Sequence, residues 1–364
     1  MYIGECCFND IEIVGRIVSH KKKGHCAVTG TNDVYVYDTD TDDYLQGIFN
    51  KLIRIYVPVD AYSKQITADK KVFIKDDITK KWNIFKNINA TQIYKILTTL
   101  SVELYNEEPC LFDEPVVDCS FDDETFVNEN SILKNADWDN FVNTLKHKNR
   151  FHTNCINIEN LNKICTYIRK PYKKGDKFYR GRIIKDVGYT ADNMGAPPPG
   201  KATAGRANSA GIPRLYLATN KLTALHELRA GAFDAITIGE FELLKDITVV
   251  DLKMLDKISP FIEELDPRLL LINRECLNKI NEEICKPLRK NDSTLDYLPT
   301  QYIVDLIQSF MSEEKNEYYG VEYKSTLNSE GVNLAIFDPD LFCCKSVQDY
   351  KVEDLRYKVN PSIY

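Results

Sequence analysis

No stretch of the sequence approaches the roughly 18 consecutive apolar residues that a membrane-spanning helix needs. The amino terminus also lacks a basic segment followed by an apolar run, so the sequence predicts neither a membrane anchor nor a signal peptide. Basic residues are fewer than acidic ones, 47 against 54, and the net charge is −7. Because a polyanion requires a basic face, this balance argues against nucleic acid as the main partner. The sequence also contains no internal repeat and no low-complexity segment.

Nothing in the sequence directs the chain to an oxidising compartment. The cysteine count is 11, an odd number, and two pairs are adjacent, Cys6-Cys7 and Cys343-Cys344. We therefore expect reduced thiols and a cytoplasmic protein.

Histidine is scarce, with 5 residues in the chain. His226 immediately precedes Glu227 in the sequence, and adjacent residues do not share a helix face. His20, His147 and His152 have no acidic or serine partner at a useful spacing. A serine or cysteine hydrolase triad therefore has little support.

The chain is long enough for two globular domains, with 364 residues, 43% of them hydrophobic and 28% charged. The basic segment Lys170–Lys177 contains a proline and a glycine and is a reasonable boundary. We predict a mainly helical domain over residues 1–170, with a small mixed start at 1–50, and a second domain over residues 175–355.

Apolar periodicity indicates the individual helices and strands. Helices are predicted from Thr91 to Leu104 with Thr91 as the N-cap, around residues 138–145 and 158–168, and over Arg268–Leu288 and Gln301–Phe310. Strands are predicted at residues 34–37, 178–184, 236–244, 247–252, 321–325 and 334–337, and a long acidic loop at 106–124. Strands and helices mixed without regular alternation indicate an α+β fold.

Two short motifs imitate ligand-binding loops but lack the necessary chemistry. Residues 195–201 match most of the phosphate-binding loop of nucleotide hydrolases, yet the prolines at 197–199 offer no N–H groups to phosphate, and Ala202 stands where Ser or Thr is needed. Residues 38–43 begin like a calcium loop, but Asp43 occupies the position of its glycine and the closing glutamate is missing.

Chemically useful residues are concentrated between positions 178 and 229. Arg206 stands in a glycine-flanked turn, Tyr216 follows ten positions later in a strand-like run, and Glu227 lies eleven positions further on, in a segment with helical spacing. A guanidinium, an aromatic ring and a carboxylate are what a site for a phosphorylated, ring-bearing ligand needs.

The same stretch resembles a known family. The pattern G-R-x-N-x-x-G-x-P-x-x-Y over residues 205–216, followed by a short helix reading A-L-x-E, resembles the RES domain family. Segments 298–302, 320–326 and 333–337 resemble the carboxy-terminal half of that family. The resemblance covers roughly residues 175–350. It implies a mixed β-sheet core with flanking helices, related to the diphtheria-toxin type of ADP-ribosyltransferase, and membership among bacterial NAD-degrading toxins or ADP-ribosyltransferases.

The resemblance implies NAD as the substrate and a role for each matching residue. Glu227 would hold the ribose hydroxyls and stabilise the positive charge that develops on the sugar. Arg206 would bind the pyrophosphate, Tyr216 would stack on the cationic nicotinamide, and Ser325 would bond a ribose or carboxamide group. Two further residues are expected to bind NAD, Arg180 and Asn208.

Spacing alone leaves ordinary structural roles open for all of these residues. Glu227 would otherwise be a surface glutamate paired with Arg229 or a neighbour, and Arg206 an exposed arginine in a turn. Tyr216 would be a core residue of a strand, and Ser325 a structural serine.

The sequence departs from the family pattern in two places. Ala207 stands where tryptophan is common, which removes an aromatic wall, and Thr326 replaces the second serine of a Ser-Ser pair. Neither change removes a proposed reacting group.

The amino-terminal region resembles the degenerate zinc-ribbon and helical region found before some RES domains. Such regions often begin with two Cys-x-x-Cys knuckles, of which only Cys7 and Cys26 are present, with Cys6 or His25 as substitute ligands. Tetrahedral zinc needs four ligands. Buried structural thiols are therefore the preferred interpretation, and no metal is expected.

The resulting hypothesis is a glycohydrolase toxin that cleaves NAD to nicotinamide and ADP-ribose in a toxin–antitoxin or antiphage defence setting, with an antitoxin or a phage-derived activator as partner. A mono-ADP-ribosyltransferase acting on a specific protein and a non-enzymatic NAD or ADP-ribose sensor remain alternatives. The sequence leaves homo-oligomer formation open.

Overall fold

The structure, a computed structural model, describes residues 1–61, 66–121, 123–134, 137–286, 293–312 and 315–355. The chain packs into two compact units, one of residues 1–131 and 257–274, the other of residues 132–256 and 275–364. The units are therefore interleaved along the sequence, and the predicted domain boundary at residues 170–175 stays a prediction. In the described part of the chain, every helix is too short or too polar to traverse a bilayer.

The first unit is mainly helical. Its elements are β1 (Tyr2–Gly4), α1 (Ile11–Ser19), β2 (Lys23–Gly24), β3 (Val34–Asp38), α2 (Tyr44–Ile53), β4 (Tyr56–Pro58), α3 (Ile74–Trp82), α4 (Ala90–Leu100), α5 (Val102–Glu107), α6 (Cys110–Asp113), β5 (Val116–Asp118) and α7 (Glu124–Asn130). Strands β1, β3 and β2 form a small antiparallel sheet, and β4 pairs with β5.

Helix α4 has a different N-cap from the predicted one. The Asn89 side chain accepts a hydrogen bond from the Gln92 N–H at 3.0 Å, and the Gln92 side chain accepts one from the Asn89 N–H at 2.9 Å. This reciprocal pair satisfies two backbone donors, whereas a single threonine side chain satisfies one. The prediction of Thr91 as the N-cap is therefore wrong.

The long loop predicted over residues 106–124 is also wrong. The segment contains the one-turn helix α6 and the strand β5, whose Val116 and Val117 are fully buried. Both elements are too short for apolar periodicity to show, and β5 exists because it pairs with β4.

The second unit is built on a large mixed sheet. Its elements are α8 (Trp138–His147), α9 (Ile158–Tyr167), β6 (Arg169–Tyr172), β7 (Lys177–Ile183), β8 (Leu215–Ala218), α10 (Lys221–Leu228), β9 (Ala235–Leu243), β10 (Ile247–Asp251), the carboxy-terminal part of α11 (Pro267–Cys285), α12 (Leu298–Ser309), β11 (Met311–Ser312), β12 (Lys315–Asn316), β13 (Gly320–Lys324), β14 (Val332–Ile336) and β15 (Phe342–Lys351). The end of the predicted helix Arg268–Leu288 lies outside the described residues.

Eight strands form this sheet in the order β15-β9-β7-β8-β14-β13-β10-β6. Neighbouring strands are antiparallel except β10 and β13, which are parallel. The predicted α+β class is confirmed. Strand β15 is absent from the predicted strands, because it is an edge strand of 10 residues whose mostly exposed side chains give no apolar alternation.

Strand β8 separates the core from the face that carries α10. Leu215 and Leu217 are buried in the main core with Phe241. Because successive strand residues face opposite sides of a sheet, Tyr216 and Ala218 lie on the other face, where Ala218 packs with Ala224 of α10. That face is where the candidate site lies.

Helix α10 approaches the sheet closely because β7 carries a glycine. A Cβ at Gly181 would lie 2.6 Å from Cδ1 of Leu228, closer than real side-chain contacts allow. Any larger residue at Gly181 would therefore force Leu228, the neighbour of Glu227 in α10, to shift.

Candidate functional site

A cavity of about 370 Å³ opens on the α10 face of the large sheet. Its polar lining consists of four tyrosines, three arginines, one glutamate and one asparagine: Tyr179, Tyr216, Tyr297, Tyr323, Arg180, Arg206, Arg229, Glu227 and Asn333. The arginines and the glutamate together give the lining a formal charge of +2. A cavity with this lining suits an anionic ligand that also carries aromatic rings.

Arg180 of β7 has the most exceptional environment in this lining. Its Nη1 is buried and makes no hydrogen bond. Burial and the neighbouring charge of Arg182 lower the pKa of Arg180 to about 10, so the guanidinium still carries its charge at neutral pH. A buried charged donor without a partner is costly, and an anionic ligand would supply the missing acceptor.

Arg206 lies at the tip of a tight turn. The backbones of Gly205 and Asn208 close the turn with hydrogen bonds of 3.0 and 3.4 Å. Glycine is required at its first position, since a Cβ at Gly205 would lie 2.7 Å from both Asn208 Oδ1 and the Tyr216 hydroxyl. Arg206 itself donates from Nη1 to the carbonyl of Ile284 at 2.9 Å. Part of its donor capacity is therefore used within the protein.

The side chains of Tyr216 and Asn208 hold the turn in place through hydrogen bonds. The Tyr216 hydroxyl donates to Asn208 Oδ1 at 2.7 Å and accepts from the Ala207 N–H at 3.2 Å. Burial raises the pKa of Tyr216 to about 12, so the hydroxyl stays protonated. Tyr216 borders the cavity while its hydroxyl bonds Asn208 and Ala207 of the turn.

Asn208 is buried, and its amide faces the protein. Its Nδ2 lies within hydrogen-bonding distance of the carbonyls of Thr203, Ser209 and Ile212, at 2.9 to 3.1 Å. These contacts and the Tyr216 bond occupy its polar atoms. Asn208 shapes the turn rather than lining the cavity, and its predicted contact with NAD stays a prediction.

Helix α12 fixes the same turn from its other side. Gln301 Nε2 lies 2.8 Å from the carbonyls of both Gly205 and Asn208. Arg214 is also buried, donates to the Ala207 carbonyl at 3.3 Å, and lies over the ring of Phe337. The turn is therefore held in position before any ligand binds.

Glu227 lies in the last turn of α10 with an exposed side chain that borders the cavity. The helix ends at once, because Arg229 adopts a left-handed conformation with φ 49°. Glu227 Oε1 accepts hydrogen bonds from Ser325 Oγ at 2.6 Å and from Asn333 Nδ2 at 2.7 Å. The glutamate is thus tied to β14 and to the residue that follows β13.

Of the predicted site residues, Arg180, Arg206, Tyr216 and Glu227 line one cavity. Ser325 lies just beyond β13 and reaches that cavity only through Glu227. The geometry brings these residues together, whereas their catalytic roles stay predictions.

Comparison with known families decides the relationship. Residues 180–360 match the sequence profile of the RES domain. The chain belongs to the RES domain family. No curated protein and no solved structure matches the chain. RES domains are associated with NAD, which agrees with a cavity that suits an anionic, ring-bearing ligand.

Sequence reasoning missed several residues that line the RES cavity, among them Tyr179, Tyr297, Tyr323 and Asn333. Asn333 gave the clearest available signal, because it is a polar residue inside an otherwise apolar strand. Tyr297 gave none, since it precedes α12 in a segment without strand alternation. Its place in the lining follows from how the helix packs.

Outside the RES domain, three cysteines lie together in the first unit. The sulfur atoms of Cys6, Cys7 and Cys26 all lie within 4.8 Å of one another, and those of Cys7 and Cys26 are 3.6 Å apart. Cys6 Sγ lies 3.4 Å from the Thr29 hydroxyl, and the ring of His25 bonds an asparagine at 2.8 Å instead of joining the group. Among the described residues this group supplies three ligands, whereas structural zinc takes four. The residues therefore do not complete such a site, and the absence of a metal stays a prediction.

Proposed function

We propose that the RES domain of this chain binds NAD and cleaves its nicotinamide–ribose bond. The observation that carries the proposal is the single carboxylate of Glu227, fixed by hydrogen bonds in a cavity that is otherwise cationic and aromatic. NAD carries a diphosphate and two aromatic ring systems, one of them cationic, and the lining offers a complement to each.

The diphosphate is assigned first to Arg180. Arg180 borders the cavity and has an unbonded Nη1, whereas Arg206 already donates to a backbone carbonyl. A guanidinium offers a planar fork of donors that matches phosphate oxygens. Arg206 then contributes its remaining donors from the turn.

The cationic nicotinamide is assigned to the tyrosine side of the cavity. The faces of aromatic rings attract cations, and Tyr216 presents its ring while its hydroxyl is bonded elsewhere. This orientation would bring the nicotinamide–ribose bond towards Glu227.

The chemistry then requires little beyond electrostatics. The ring nitrogen of NAD is cationic, so the C–N bond breaks with both electrons going to nicotinamide, which leaves as a neutral molecule without a general acid. Positive charge develops on the ribose, as in other glycoside cleavages. Glu227 stabilises that charge and binds a ribose hydroxyl. Water then adds to the sugar carbon and releases a proton, giving ADP-ribose, nicotinamide and H⁺.

The setting that we propose is the one that the family implies, a toxin whose activity is restrained by an antitoxin or triggered during phage infection. Transfer of ADP-ribose to a protein side chain would use the same first step with a different acceptor. The assay below separates the two reactions.

The test is incubation of the purified chain with NAD, with nicotinamide and ADP-ribose followed by chromatography. Wild type should release both in equal amounts, and Glu227→Gln should lower kcat by about 10²- to 10³-fold, since it removes one preorganised charge. Glu330→Gln, an exposed glutamate outside the cavity lining, is the matched control and should turn over at the wild-type rate.

Label from NAD appearing on protein in place of free ADP-ribose would favour the transferase. Binding of NAD without release of nicotinamide would favour a sensor. If wild type neither binds nor cleaves NAD, including with candidate activators and in cells whose NAD is measured after induction, the proposal is wrong.

A further inference from the structure

The hydrogen bonds around Glu227 assign a role to Asn333, a residue that is not among the predicted site residues. The inference rests on the proposed function, because it concerns how the same carboxylate is held. Both donors to Glu227 Oε1 are almost completely buried, Ser325 at 4% and Asn333 at 5% exposure. Within the described chain, these are the two groups that bond the Glu227 carboxylate.

Ser325 is committed to Glu227 by its own surroundings. Its Oγ accepts hydrogen bonds from the N–H groups of Leu327 at 3.2 Å and Asn328 at 3.1 Å. A hydroxyl has one proton, and here it is donated to Glu227 at 2.6 Å. Ser325 therefore has no second proton to donate to a ligand. In this arrangement it contacts the carboxylate of Glu227 instead of the substrate.

Asn333 is fixed more rigidly than Glu227. It lies in β14, where its neighbours are Ala218 of β8 and Tyr323 of β13, both in the middle of the sheet. Glu227, by contrast, is exposed and belongs to the last turn of a helix of eight residues. A glutamate in such a place would sample several rotamers. The 2.7 Å bond from Asn333 Nδ2 holds it against the sheet, at the cavity wall that Asn333 itself lines.

The neutrality of both donors matters for the chemistry. A lysine or arginine in the place of Asn333 would hold the carboxylate equally well but would offset its charge. An amide and a hydroxyl fix the carboxylate while leaving its negative charge available to a developing cation. We propose that Asn333 is a positioning residue that holds Glu227 in its reactive orientation without neutralising it.

The test is a double-mutant cycle on NAD turnover. Asn333→Asp is nearly isosteric and replaces the neutral amide donor with a second carboxyl group beside Glu227, so kcat should fall by about 10- to 100-fold, while KM changes by less than about threefold. In a Glu227→Ala background the same change should alter the residual kcat by less than about threefold, because nothing remains to be positioned. A purely structural asparagine would cost the same factor in both backgrounds.

Asn328→Asp is the matched control. Asn328 Nδ2 also donates to α10, to Thr223 Oγ1 at 2.9 Å, but the residue does not line the cavity. The Asn328→Asp variant should keep kcat within about threefold of the wild-type value. Should Asn333→Asp not fold, Asn333→Ser, which keeps a shorter neutral donor, takes its place and should retain more activity than Asn333→Ala.

A second cycle measures the contact without any NAD chemistry. Urea unfolding of wild type, Asn333→Asp, Glu227→Ala and the double variant should show coupling, with the two single effects failing to add. Coupling in the unfolding cycle, together with no release of nicotinamide by wild type, would contradict the proposed function. It would still support the contact between Asn333 and Glu227. Additive effects in both cycles, or a kcat of Asn333→Asp equal to that of the Asn328→Asp control, would overturn the positioning role.

Discussion

Replacing Arg180 by methionine should weaken the proposed site and at the same time stabilise the fold. Methionine keeps an unbranched apolar stem, shorter than that of arginine, and removes the charge. In the free protein, the guanidinium is held in a buried position with an unbonded Nη1. With NAD bound, the same group would pair with the diphosphate. The substitution should therefore stabilise the ligand-free protein and weaken the binding of NAD.

The magnitude of the stability effect follows from the pKa. Burial, with the repulsion of Arg182, lowers the pKa of Arg180 from 12.5 to about 10. At 1.36 kcal/mol per pKa unit, the charged form costs roughly 3 kcal/mol in the folded state. Because the folded pKa is the lower one, this cost is present at neutral pH and is relieved only as pH rises above about 10. Since water reaches part of the cavity, we expect Arg180→Met to gain about 1–3 kcal/mol.

The assays are thermal unfolding and NAD turnover on the same preparation. In a unit of this size, 1 kcal/mol raises Tm by about 2–4 °C. Turnover should fall by about 10²- to 10³-fold in kcat/KM, as for the loss of one charge-assisted contact to the reacting ligand. Arg180→Lys is the control, because it keeps the charge, and it should gain little stability while retaining part of the activity.

A methionine variant that is less stable than wild type and still cleaves NAD at the wild-type rate would refute this reasoning. It would mean that Arg180 is held by contacts within the protein and needs no anion.

Three further predictions concern the turn and the sheet. Gly205→Ala should destabilise the protein by about 1–3 kcal/mol in urea unfolding, because its Cβ would lie 2.7 Å from Asn208 Oδ1 and the Tyr216 hydroxyl; an unchanged midpoint would show that the turn can relax. Tyr216→Phe keeps the ring but leaves Asn208 Oδ1 without its donor, so stability should fall by about 1–3 kcal/mol while the KM for NAD stays within about threefold; a large rise in KM would mean that the hydroxyl contacts NAD. Glu322 is fully buried, and burial by itself would raise the pKa of its carboxyl group. Hydrogen bonds from Lys170, Lys253 and Tyr172 outweigh this effect and keep that pKa below the ordinary value. The contribution of Glu322 to the free energy of unfolding should therefore be present above about pH 4.3 and lost as pH falls. Glu322→Gln should cost about 3–5 kcal/mol at neutral pH and flatten the acid limb of a pH–stability curve, and a variant as stable as wild type would contradict the ion-pair account.

The sequence determined the kinds of chemistry that this chain can hold and the approximate place of its long elements. Helices with clear apolar spacing, such as α8, α9 and α12, and the strands β7, β9 and β10 follow from local periodicity, which each segment carries by itself. The turn at Arg206 followed from its glycine and its motif. Arg206, Tyr216 and Glu227 could be named together because each belongs to a residue type that the ligand chemistry requires.

Only the tertiary structure decided what those residues contact. Asn333 bonds Glu227 from a position 106 residues away in the chain, and no local pattern encodes a contact between a helix and such a distant strand. Arg180 has a buried, unbonded Nη1, whereas Arg206 donates a hydrogen bond to the carbonyl of Ile284. Residue spacing reveals neither the burial of Arg180 nor the position of Ile284. Short elements such as β5 were missed for the same reason, since a strand of three residues forms only because a distant partner satisfies its hydrogen bonds.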